Sequence, residues 1–169
     1  KPFTVTLSQA RELDTLAKQQ GKLLSVFHNR RWDSDFLTVK ALINEGKLGD
    51  ITHFESHFDR YRPQVRARWR EQAGLGSGIW YDLGPHLLDQ AVNLFGLPQS
   101  LYVDLGQLRP GAQATDYFHA VLTYPQRRVV LHSTLLAAAE TARYIVHGTQ
   151  ASYVKFGLDP QEDRLKNGE

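Results

Sequence analysis

Apolar residues recur along this chain with two different periods, and the switch between them divides it. Between Ser8 and Gly21, Leu13, Leu16 and Ala17 fall on one face at helical spacing. Ser8 is placed to cap the first turn, with Glu12 close behind, and Gly21 supplies a stop. Leu23–Phe27 is then an unbroken apolar run, as expected of a short buried strand. A second helical pattern covers about 33–46, where Phe36, Leu37, Val39, Lys40 and Ile43 alternate between core and solvent and Gly46 and Gly49 close the element. From Ile51 the period drops to two. Thr52, Phe54, Ser56 and Phe58 lie on one side and His53, Glu55, His57 and Asp59 on the other, which predicts a half-buried strand.

A helical pattern returns near residue 82. Leu83, Leu87, Leu88, Ala91, Leu94 and Phe95 make an apolar face, Gly96 ends it, and Asp82 is placed as the cap with Pro85 in the first turn. Four strand-like runs come next, at about 100–108, 116–124, 127–136 and 142–157, the last divided in two. Tyr124–Arg127 and His147–Gln150 read as hairpin turns. Sequential strands joined by short turns predict antiparallel pairing. The polar stretch from Asp159 to Glu169 reads as a frayed end.

Composition narrows the class. The 169 residues are 41% hydrophobic and 22% charged with a formal net charge of +2, the balance of an ordinary globular domain. That charge gives no argument for nucleic acid, and no run approaches the roughly 18 apolar residues of a membrane span. There is no cysteine, so disulfides and thiolate metal sites are excluded. With no signal-peptide layout at the start, the expected location is the cytoplasm. The chain opens at Lys1 without any methionine, which sets the expectation of a fragment whose missing part holds some of the function.

The residues with chemical promise lie on the central helix. Asp82, His86, Asp89 and Asn93 recur at i, i+4, i+7 and i+11, a single polar stripe. Three readings stand: a solvated face with a capping aspartate, a metal site using Asp82, His86 and Asp89, or a catalytic wall in which a carboxylate sets an imidazole for proton transfer. No further ligand cluster accompanies them, so no metal is expected. Arg60, Arg62, Arg66, Arg68 and Arg70, with Tyr61 and Trp69 among them, form a basic stretch. It reads as a solvated loop, or as a loop beside the cleft that draws an anionic substrate or cofactor phosphate; nucleic acid is not expected as a partner.

The pattern Gly76-x-Gly78-x-x-x-Asp82-x-Gly84-x-His86-x-x-Asp89 resembles the signature of the Gfo/Idh/MocA family of NAD(P)-dependent oxidoreductases. Lys1-Pro2 resembles the end of that family's Glu-Lys-Pro motif. Leu24–Arg31 resembles the last strand of its dinucleotide-binding domain, and Gly46-Lys47-Leu48-Gly49-Asp50-Ile51 the entry into its substrate domain. The resemblance implies an α+β fold, with an open, predominantly antiparallel sheet carrying helices on one face. It also implies two parts: residues 1–32 as the remnant of a Rossmann domain, its last helix and strand, and residues 33–169 as the substrate and oligomerisation domain, cut short at its end.

What the resemblance implies chemically is oxidation of an alcohol on a sugar, polyol or similar small molecule, or the reverse, with hydride passing to or from NAD or NADP. His86 would be the general acid/base, Asp82 its partner, and Lys1 a donor to the reacting oxygen. Lys1 and Pro2 would border the cofactor, and Asn29, Arg30 and Asp89 are weaker expectations for substrate contact. No glycine-rich turn follows a strand near the start, so the fragment alone is expected neither to bind cofactor nor to turn over. A homodimer or larger homo-oligomer through the open sheet is expected, because apolar residues such as Val129, Leu131 and Leu135 would otherwise need a cover. The alternative is a non-enzymatic dimerisation or ligand-binding sheet module.

Overall fold

The computed structural model describes residues 2–168. Helix α1 spans Leu7–Gln19 and α2 spans Ser34–Asn44. Strand β1 (Ile51–His57) leads through a long loop to helix α3 (Gly78–Phe95). Five strands come after it: β2 (Ser100–Gly106), β3 (Tyr117–Thr123), β4 (Arg128–Thr134), β5 (Ala142–Gly148) and β6 (Ser152–Phe156). Helix α4 (Gln161–Lys166) ends the order.

The strands form one sheet in the order β2-β3-β4-β1-β5-β6. Neighbours pair antiparallel except β1 with β4. That exception stems from connectivity. Helix α3 carries the chain from the middle of the sheet to its edge, and the meander β2-β3-β4 then returns alongside β1. The α+β class and the open, mostly antiparallel sheet are as the sequence predicts.

The face under α2 and α3 is the core. Phe54, Phe118, Leu122, Leu131, Tyr144 and Val146 are completely buried there with Leu87 and Ala91 of α3 and Val39 of α2. Each large side chain so covered contributes roughly 1.5–3 kcal/mol. Along β1 the burial phase changes: Ile51 is buried and Thr52 exposed, although Phe54, Ser56 and Phe58 share a buried side. A register irregularity between Ile51 and His53 explains the change.

Several expectations need correction. Val129, Leu131 and Leu135 do not lie on the open face; they are 0%, 0% and 2% exposed, beneath the helices. Ser8 is not the cap of α1. Thr6 is, in a capping box where its side chain accepts from Gln9 N and its backbone N–H donates to Gln9 Oε1. Residues 23–27 are not a strand, and Leu23 and Phe27 are 97% and 71% exposed. An apolar run becomes a strand only where a neighbour takes up its backbone groups, and none lies beside it among the described residues. Nor is Asp159 frayed. It is buried and accepts hydrogen bonds from the backbone N–H groups of Ser34 and Gln161, so it caps α2 from the far end of the chain.

Candidate functional site

The loop before α3 sets where that helix starts. Gly78 has φ of 83°, and a Cβ there would stand 2.8 Å from the Thr115 nitrogen. Only glycine fits this approach. The next residue donates from its backbone nitrogen to Thr115 O at 2.7 Å, which fixes the first turn to the segment before β3. Helix α3 therefore begins at Gly78 with Ser77 as its N-cap residue, one turn before the expected start. Asp82 lies in its second turn and is not the cap, and Pro85 sits inside the helix, where it offers no N–H to the preceding turn.

Asp82 lines a cavity of about 300 Å³ with Trp69, Arg70, Leu75, Gly76 and Tyr81 on one side and the segment Pro2–Val5 on another. The glycine loop, the helix and the N-terminal segment thus converge on one concave site. Lys1, expected to take part, lies outside the described residues. One turn on from Asp82, His86 is 2% exposed, and its ring meets that of His28 edge-on at 6.1 Å.

The other expected residues sit elsewhere. Asp89 accepts two hydrogen bonds from the Arg31 guanidinium, at 2.7 and 2.6 Å. Asn93 accepts from Lys40 Nζ. Asn29 and Arg30 line a separate depression of about 250 Å³ with Asp33, Asp159 and Gln161, and Arg30 pairs with Asp33 at 3.2 Å. One stripe thus serves several ends: its first carboxylate lines the cavity, its imidazole is buried, and its later members tie α3 to its neighbours.

The arginine-rich loop is not a freely solvated stretch. Arg109, 4% exposed, donates to Glu71 and Asp116 at 3.0 Å each and to the backbone carbonyls of Arg62 and Gln64. Glu71 also accepts from Arg68 Nε and Arg66 N. Burial raises the Glu71 pKa, but these donors outweigh it and hold the carboxyl below its ordinary value. The loop then presents Arg70 with Nε 3.4 Å from Asp82 Oδ1 and its guanidinium 4.5 Å from the Trp69 ring centre. Sequence reasoning missed this anchoring and missed His28. Arg109 lies 38 residues from Glu71, a separation that no local spacing reveals.

The open face of the sheet carries a second set of ionisable groups. His57, His132 and His119 stand in cross-strand register on β1, β4 and β3. Glu55 bridges His53 at 2.6 Å and His57 at 2.7 Å. Burial lowers the His57 pKa, but hydrogen bonds to Asp59 and Glu55 prevail and leave it raised. Among the described residues no group of three or more His, Asp or Glu side chains could hold a metal ion, and no helix is long and apolar enough to cross a membrane.

Residues 40–169 match the family described as the oxidoreductase family, C-terminal alpha/beta domain. The chain is 78% identical over its full length to the uncharacterized oxidoreductase YdgJ of Escherichia coli, covering 49% of that protein. It is 45% identical over 99% of its length to scyllo-inositol 2-dehydrogenase (NADP(+)) IolW of Bacillus subtilis, covering 47%. The solved structure of the Yersinia pestis protein YPO2259 matches at 75% identity with a TM-score of 0.93, over all of this chain and 48% of that one. The chain spans about half the length of the curated relatives it matches. It belongs to the Gfo/Idh/MocA oxidoreductase family, as a C-terminal α/β domain.

Proposed function

From that membership we propose that this chain is the substrate-binding and proton-transfer half of an NAD(P)-dependent oxidoreductase that acts on an alcohol of a sugar or polyol. The observation that carries the reading is the convergence of Asp82, the glycine loop and Pro2 on one cavity, with His86 one helical turn behind. A relative that acts on scyllo-inositol with NADP(+) supports the substrate class.

No strand–glycine loop–helix unit of the dinucleotide-binding kind occurs among the described residues. With the chain spanning about half the length of its relatives, our reading places the pyrophosphate site outside residues 2–168, and what this chain offers is a wall at the nicotinamide end. When bound, the nicotinamide supplies the hydride acceptor. His86 removes the hydroxyl proton as the carbonyl forms, and returns it in the reverse direction. Its burial keeps that proton away from bulk water. Asp82 hydrogen-bonds substrate hydroxyls and orients the reacting carbon. Lys1, adjoining Pro2, donates to the reacting oxygen, where a cation favours the developing alkoxide. Asp89 acts by fixing α3 to Arg31. A second copy is assigned to the open sheet face, the side of the sheet opposite the core that α2 and α3 cover.

The test supplies the full-length protein with a panel of cyclitols and aldoses together with NAD⁺ or NADP⁺ and follows nicotinamide absorbance. Cofactor-dependent oxidation of at least one polyol is expected. No oxidation of any member with either cofactor overturns the reading. Titration of the 169-residue chain alone with NADPH is expected to show little or no binding.

A further inference from the structure

The loop that precedes α3 has more built into it than the proton-transfer reading uses. Trp69 and Arg70 line the Asp82 cavity. The indole is 58% exposed, although a large aromatic ring at the surface of a monomeric domain is ordinarily tucked away. Its neighbour's guanidinium lies over it at 4.5 Å and reaches Asp82 at 3.4 Å. Neither residue owes its place to a loosely held loop. The three-residue 3-10 turn Trp69–Glu71 ends on the buried carboxylate that Arg109, Arg68 and the Arg66 backbone grip together. Arg109 holds the loop again at the carbonyls of Arg62 and Gln64. An exposed aromatic and a cation that line a cavity, on a turn anchored at Glu71, are preorganised for a ligand.

The chemistry of that ligand is set by the groups the wall presents. An exposed indole offers a flat apolar surface, which suits the C–H face of a saturated six-membered ring. Arg70 and Asp82, side by side, offer several N–H donors and a carboxylate acceptor, the set that adjacent hydroxyls satisfy. Among the described residues the two charges that line the cavity, Arg70 and Asp82, are of opposite sign and lie 3.4 Å apart, which favours neutral hydroxyls over a phosphate. A volume of about 300 Å³ is at the small end of ligand pockets, which run to roughly 300–1,000 Å³, so the ligand is a single ring.

We propose that Trp69 and Arg70 form the specificity platform of this site: an uncharged polyhydroxylated ring, a cyclitol or a pyranose, stacks on the Trp69 indole while its adjacent hydroxyls bridge Arg70 and Asp82. This rests on the polyol reading above and adds to it the residues that select the ring.

The chain has three tryptophans, Trp32, Trp69 and Trp80, so its indole N–H signals can be followed separately by NMR, with Trp69→Phe giving the assignment. Titration of the chain with scyllo-inositol is expected to move the Trp69 signal and leave those of Trp32 and Trp80 in place; inorganic phosphate at equal concentration is expected to move none. In the full-length enzyme Trp69→Ala is expected to raise KM for the polyol about tenfold, the scale of one aromatic stacking contact, with a much smaller change in kcat, and Trp69→Phe to recover most of it. An unmoved Trp69 signal at saturating cyclitol, an unchanged KM in Trp69→Ala, or a stronger response to phosphate than to cyclitol overturns the platform. These failures are separable from failure of the polyol reading. With the platform wrong, the enzyme still oxidises the polyol and depends on His86; with the polyol reading wrong, no polyol is oxidised whatever stands at position 69.

Discussion

The stripe on α3 and the open face of the sheet both carry imidazoles and carboxylates, yet the structure treats them differently. On α3, His86 is buried under the core and Asp82 borders a cavity that the glycine loop, the N-terminal segment and an anchored arginine all reach. On the open face, His57, Glu55, Asp59 and His132 pair among themselves on a broad half-exposed surface. The same residue types thus make a convergent site in one region and a lateral network in the other. What separates them is the number of independent chain segments that meet at the residue.

The two regions are expected to part most widely at the loop anchor. Arg109→Ala leaves Glu71 and Asp116 buried without their shared cation, and urea unfolding is expected to show a loss of about 3–5 kcal/mol. Glu55→Gln on the open face is expected to cost less than about 1 kcal/mol in the same assay. A similar loss for both would erase the distinction.

A smaller effect is expected in acid. Burial raises the Asp159 pKa, but the N–H groups of Gln161 and Ser34 outweigh it and bring the carboxyl from 3.8 down to about 2. A depressed carboxylate stabilises the fold above its unfolded value, and that stabilisation is lost as pH falls from about 4 toward 2, up to about 2 kcal/mol. Asp159→Asn should flatten this part of a stability-against-pH curve. Smaller again, Val130→Glu places a second carboxylate opposite Glu55 on the open face, where a second copy is proposed to pack. Sedimentation is expected to show dimer dissociation strengthened at least about tenfold, or about 1.4 kcal/mol. The smallest effect belongs to His57. Its pKa is raised above 6.5, so its contribution is full below that pH and fades as pH rises through the higher folded value; His57→Gln should remove that slope.

The sheet was legible because its signal is local. Alternation at β1, β3 and β4 and the two hairpin turns each depend on a few adjacent residues. The polar stripe of α3 was legible for the same reason. Its depth was not. Periodicity assigns Asp82 and Asp89 to one face and says nothing of Arg31, which occupies the second across 58 residues. The start of α3 escaped because Gly78 answers to Thr115, and the arginine loop because its counter-charges Glu71 and Asp116 are gathered by Arg109. The run 23–27 misled because apolar content predicts burial only where a neighbouring strand exists.

The central claim is that α3, and not the open face, carries the proton. Steady-state turnover of the full-length enzyme with His86→Ala and His57→Ala side by side tests it most directly. His86→Ala is expected to lower kcat by about a hundredfold or more with cofactor affinity nearly intact, and His57→Ala to leave kcat within about threefold. Turnover near the wild-type value in His86→Ala would contradict the account.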